Sequence, residues 1–121
     1  MKYAYLFPLL AVAATAAQPA GPAPCEVHLQ LSHAPQALAA SGVCRSLLDQ
    51  PARYHYQLLT ERWGRSCSHS QQGGSFELAA HQEAQLAKAQ VSVAPGDHYL
   101  LRLRVFDEAG HLVAQDSVRQ D

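Results

Sequence analysis

The chain has 121 residues, 48% of them hydrophobic and 16% charged, with a formal net charge of -1. This is material for one domain, and the spread of aliphatic residues along the chain excludes intrinsic disorder. Nine Lys and Arg against ten Asp and Glu leave no basic excess for counterion-driven binding to phosphate, so nucleic acid is not an expected partner.

From the N-terminus, Met1 and Lys2 give a short positive start, residues 4–14 are apolar, and Ala14-Thr15-Ala16-Ala17 supplies small residues at a cleavage site. This pattern predicts a secretory signal over residues 1–17, cut after Ala16 or Ala17. The apolar stretch is too short to span a bilayer, so no membrane insertion is expected once it is removed. Residues 18–24 (QPAGPAP) form a Pro-rich leader that can hold neither a helix nor a sheet. A single domain is expected from residue 25 to residue 121, exported by that signal.

Within that domain, Cys25, Val27, Leu29 and Leu31 alternate with Glu26, His28, Gln30 and Ser32, the signature of a strand with one buried face. Further strands are expected at 37–47, 54–62, 65–71, 76–79 and 87–93. Pro, Gly and Asp punctuate them, as in Pro95-Gly96-Asp97. Gly73-Gly74 reads as a turn or bulge. Residues 77–88 (ELAAHQEAQLAK) are strong helix formers, leaving a short helix open there beside the strand reading. Tyr99, Leu101, Leu103 and Val105 alternate with Leu100, Arg102, Arg104 and Phe106, and a turn at 107–110 leads into a last strand at 111–118. About seven short strands predict an all-β fold, an immunoglobulin-like antiparallel β-sandwich, although the Cys and Trp spacing of antibody domains is absent.

A first hairpin centred between Ala34 and Pro35 would set Cys25 opposite Cys44 and Val27 opposite Gly42. That register makes a Cys25–Cys44 disulfide geometrically reasonable. Cys67 would then be unpaired, a small half-buried hydrophobe on a strand. The seven histidines are scattered, with no pair at i, i+2 or i, i+4, so no metal site and no cofactor are expected. Nor does any Gly-x-Ser-x-Gly elbow or Cys-x-x-Cys motif occur, and an enzyme is not expected. The remaining chemistry is a set of surface cations: Arg62 and Arg65 around Trp63-Gly64, and Arg102 with Arg104 on the wet face of their strand. Such cations serve as gatekeepers against edge pairing, or engage an extended, weakly acidic chain.

Taken together, Tyr56-x-Leu58, the Ser-rich segment Ser66-Cys67-Ser68-His69-Ser70, Gln72-Gly73-Gly74-Ser75-Phe76, Val91-x-Val93, and residues 99–105 followed by Asp107 and Gly110 resemble the curli-chaperone family of CsgH type, related in function to CsgC. The chain departs from that pattern at Cys67, at residues 37–40 and at residues 77–88. The resemblance implies an exported, periplasmic, cofactor-free sandwich, not an enzyme, that keeps a curli-type subunit from assembling into amyloid before it leaves the periplasm. A monomer that contacts this client through Arg102 and Arg104, with Arg62 and Arg65 as secondary contacts, is the expectation. The alternative is a structural or adhesive β-sandwich module of the cell envelope, either self-associating, with Cys67 as one route, or partner-binding.

Overall fold

The computed structural model describes residues 23–120. The expected signal and nearly all of the leader lie outside the described residues. Seven antiparallel strands follow one another: β1 (Cys25–Ala34), β2 (Ala37–Ser46), β3 (Ala52–Trp63), β4 (Ser68–Leu78), β5 (Glu83–Ser92), β6 (His98–Asp107) and β7 (Leu112–Gln120). They form two sheets, ordered β1-β2-β5 and β4-β3-β6-β7. The all-β sandwich is therefore as expected. Relative to the seven-strand immunoglobulin constant arrangement, β4 lies beside β3 rather than β5. The tilted stack of Phe76 on Tyr54 and Tyr56, with centroids at 5.5 and 6.2 Å, packs β4 against β3.

The core is the inward half of each alternating pattern. Leu101, Leu103 and Val105 on β6 are fully buried between the layers with Leu58, Leu78 and Leu38. Gly42 on β2 lies against Leu103 of the opposite sheet, where a Cβ would come within 2.6 Å of Leu103 Cδ2. Glycine is needed there because the two layers meet closely.

Three expectations are corrected. First, β1 and β2 pair two residues out of the expected register: Cys25 faces Ser46 and Val27 faces Cys44. The turn residues are Pro35 and Gln36, the latter at φ 62°. A turn centred between Ala34 and Pro35 would have placed proline at its second central position, where its ring is disfavoured. The two-residue offset keeps the same face buried, so Cys25 and Cys44 both remain inward, one diagonal step apart.

Second, no turn occurs at Gly73-Gly74. The two glycines sit mid-strand in β4, paired with Gln57 and Tyr56 in an unbroken ladder. A Cβ on Gly73 would meet the Tyr56 carbonyl oxygen at 2.9 Å, and one on Gly74 the Tyr56 ring at 3.2 Å. These glycines serve close approach to β3, so the segments predicted at 65–71 and 76–79 are one strand. Third, residues 77–88 are not helical. They hold the end of β4, a turn with His81 at φ 58°, and the start of β5. Gln82 Oε1 accepts from the Ala79 N–H at 2.7 Å, and burial of Leu78 and Ala87 between the layers outweighs local helix propensity.

The seams between the sheets differ. β1 packs along β7, where Asp116 Oδ2 accepts from the Leu29 N–H at 2.8 Å. On the other side, β4 and β5 touch sparingly, with Gln72 Nε2 donating to the Lys88 carbonyl at 3.1 Å.

Candidate functional site

Strand alternation sends Leu100, Arg102, Arg104 and Phe106 to the outer face of the four-stranded sheet, opposite the buried Leu101, Leu103 and Val105. β6 is an interior strand, so its outward residues are flanked on both sides. Arg104 lies between Gln57 of β3 and Gln115 of β7, and Arg102 between Leu59 and Ser117. One strand further out, the same two rows end in Gly73 and Gln71 of β4. The two guanidinium stems rise about 7 Å apart, two residues along one strand, within a half-buried setting of Leu59, Leu100 and Phe106.

Among the described residues, neither Arg102 nor Arg104 has an ion-pair or hydrogen-bond partner. Two carboxylates lie on the outer rows of β3 and β4: Glu61, which pairs with His69 Nδ1 at 3.2 Å, and Glu77, opposite Arg53 at the far end of the sheet. A third cation, Arg119, sits over the Trp63 ring at 5.4 Å, and Trp63 in turn stacks on His98 at 5.7 Å. The face is therefore positive around an apolar floor. That combination suits transient contact with an acidic chain that also carries apolar groups.

Arg62 and Arg65 stand elsewhere. Arg62 belongs to the end of β3, where its Nη1 donates to the Ser92 carbonyl at 2.9 Å and its Nη2 to Ser66 Oγ at 3.0 Å. Arg65 lies in the connection to β4 and is exposed. Both border a cleft with Asp97. The Asp97 carboxylate is held below its ordinary range, first by accepting from the Ala94 N–H and then by the charges of Arg62 and Arg65. These two arginines organise a loop cluster and are not joined to the Arg102–Arg104 rows.

Cys25 and Cys44 are buried, and all three cysteines are free; Cys67 is exposed just ahead of β4, not half-buried on a strand as expected. The two buried thiols hydrogen-bond to each other; this bond and burial push Cys44 far above the ordinary thiol range, while the bond lowers Cys25. Burial, with the two cysteines and Asp107 nearby, pushes the Tyr54 phenol up to about 12. A diagonal pair is further apart at Cα than a direct one, so bridging it draws β1 and β2 along each other. A thiol reagent is expected to label Cys67 alone in the native protein and all three cysteines once the reduced chain is unfolded. Unfolding without reductant separates a free pair, three reactive thiols, from a bridged one, a single thiol.

Among the described residues, no group of three or more His, Cys, Asp or Glu is gathered that could hold a metal ion. No helix there is long and apolar enough to cross a membrane.

No family model matches this sequence, and no curated protein matches it. Solved structures do. The curli protein CsgC of E. coli superposes with a TM-score of 0.64 at 18% identity, over 77% of this chain and 96% of CsgC. CsgH of R. palustris superposes with a TM-score of 0.58 at 18% identity, over 78% of this chain and 90% of CsgH. The fold is that of CsgC and CsgH. A Bacteroides uniformis β-glucuronidase also matches, at 8% identity and a TM-score of 0.59, but over only 14% of that enzyme. The CsgC-like sandwich thus recurs as a small part of a large chain, and function has to be argued from the face rather than from the fold.

Two features of that face escaped the sequence. Leu59 points outward beside Arg102; the adjacent pair Leu58-Leu59 carried the signal, because only one of two neighbours on a strand can face the core. The second is the length of β4, hidden by reading Gly73-Gly74 as a turn.

Proposed function

We propose that this protein is an exported, curli-associated chaperone that delays amyloid assembly of a curli-type subunit by transient, non-catalytic binding. The observation that carries the reading is the pair of partnerless guanidinium groups, Arg102 and Arg104, set among Leu59, Leu100 and Phe106 on a CsgC-like sheet. Cations fixed on a rigid sheet raise the local concentration of an acidic chain, and the apolar floor lengthens the encounter. Amyloid nucleation depends on rare oligomers in which strands stack in register, so a binder that diverts those oligomers acts well below stoichiometry. The export leader expected over residues 1–17 supports the periplasm as the place of action. No bond is made or broken in this scheme, and no cofactor enters it.

The test is fibre formation by a curli-type subunit followed by dye fluorescence, with the protein at a few per cent of the subunit. A lag lengthened several-fold is expected. A lag identical to that of the subunit alone overturns the reading.

A further inference from the structure

Two open sheets have four edges, and three of these are protected. The edges of β1 and β7 meet along one seam, closed by the Leu29 N–H and Asp116. β5 holds one residue more than its partner β2 at the irregularity beside Gly42, and β7 likewise opposite Val105. Lys88 lies on β5 and Arg119 on β7. Extra residues and cations of this kind are the usual means of stopping a strand from recruiting another.

β4 has none of them. It runs eleven residues, pairs with β3 residue for residue without a shift, and contains no proline, lysine or arginine. Its residues from Ser68 to Ser75 are exposed. Alternate residues of an antiparallel edge direct their N–H and C=O groups away from the sheet. Gly73 and Gly74 leave the middle of the strand without side chains, so another backbone can approach there.

We propose that the free edge of β4 is a docking site for an extended segment of the client, which adds to the four-stranded sheet as a further strand beside Ser68–Leu78. This inference rests on the chaperone reading and gives the site a second component. An added strand would lie about 14 Å from β6, three strand spacings away, too far for a side chain on it to pair with Arg102 or Arg104. The arginines therefore act on the charge of the client as a whole and set the rate of encounter, while main-chain hydrogen bonds at β4 set how long the complex lasts. The occupant is an extended chain rather than a folded surface, because what β4 offers is a row of backbone donors and acceptors with small polar side chains, Ser70, Gln71, Ser75, on either face. Gln71 adds an amide able to ladder with that of an incoming polar strand.

The test uses the whole, isotope-labelled protein and a synthetic peptide one strand long from the curli-type subunit of the fibre assay. A second peptide is identical but N-methylated at alternate backbone nitrogens, which removes strand pairing and keeps every side chain. The expected result is that alternate amides within Ser68–Leu78 shift and exchange more slowly with the first peptide, and that the methylated peptide binds at least about tenfold more weakly. Equal binding of both peptides, absence of binding, or shifts confined to β6 and β7 overturns the edge site even if the fibre lag is still lengthened. So do β4 shifts that grow with protein concentration alone, which would make a second copy of the chain the occupant. A failure of the chaperone reading shows separately, as an unchanged lag.

Discussion

Reversing Arg102 and Arg104 together, as Arg102→Glu with Arg104→Glu, is expected to remove the extension of the fibre lag while leaving the sandwich folded. The two side chains are outward and have no partner among the described residues, so no internal ion pair is lost. The local charge changes from two positive to two negative beside Glu61, and an acidic client then meets repulsion where it met attraction. Electrostatic steering is worth about 10- to 1000-fold in association rate, so a fall of about 10- to 100-fold is expected for the double variant. Wild type and variant should converge as salt is raised toward 1 M, where the Debye length is about 3 Å. Replacing the same residues by Gln keeps most of the stems over Leu59 and Leu100 and should give an intermediate lag. A double reversal with an unchanged lag and an unchanged melting temperature removes these residues from the account. Arg62→Gln is the contrasting control: it loses the bonds to Ser92 and Ser66 and is expected to lower stability more than inhibition.

The largest effect on stability is expected at the contact between Gly42 and Leu103. Leu103 is completely buried and faces Gly42 across the two sheets. Leu103→Ala removes atoms from a close-packed interior and should cost about 2–5 kcal/mol in denaturant unfolding, the spread reflecting how far the layers can collapse. Gly42→Ala forces a methyl group into space already held by Leu103 Cδ2 and should cost about 1–3 kcal/mol, lowering the midpoint without a change of slope. The two substitutions are not independent. In the double variant the new methyl occupies part of the cavity, so its loss should fall short of the sum by about 0.5–3 kcal/mol. Strict additivity would mean that the sheets do not meet at this point as described.

The fold was legible where alternation was strong. In β6, inward Tyr99, Leu101, Leu103 and Val105 and outward Arg102 and Arg104 could be assigned from residue order alone, because a period of two leaves one way to bury the leucines. The turn at 107–110 was readable for a similar reason: Gly110 takes φ 91°, and Asp107 Oδ1 accepts from the His111 N–H at 2.9 Å. What failed were decisions that depend on a partner strand. The register of β1 on β2 turned on which side of Pro35 the chain reverses, and hydrophobic facing is blind to an offset of two. Gly73-Gly74 has the composition of a turn, but its reason is the Tyr56 carbonyl and ring on β3, on the preceding strand in a pairing no local pattern reveals. Arg62 looked like Arg102 in the sequence, and only the fold brings Ser92 and Ser66 to its guanidinium.

The unequal seams give the molecule a direction in which to breathe. With Asp116 fastening β1 to β7 and little joining β4 to β5, the layers are hinged on one long side and unlatched on the other. Small excursions of the native state should part them like a book along the β4 margin, leaving the spine closed. Such openings would begin at the exposed residues 68–75 of β4 and stop short of Leu78, which anchors the end of that strand in the core.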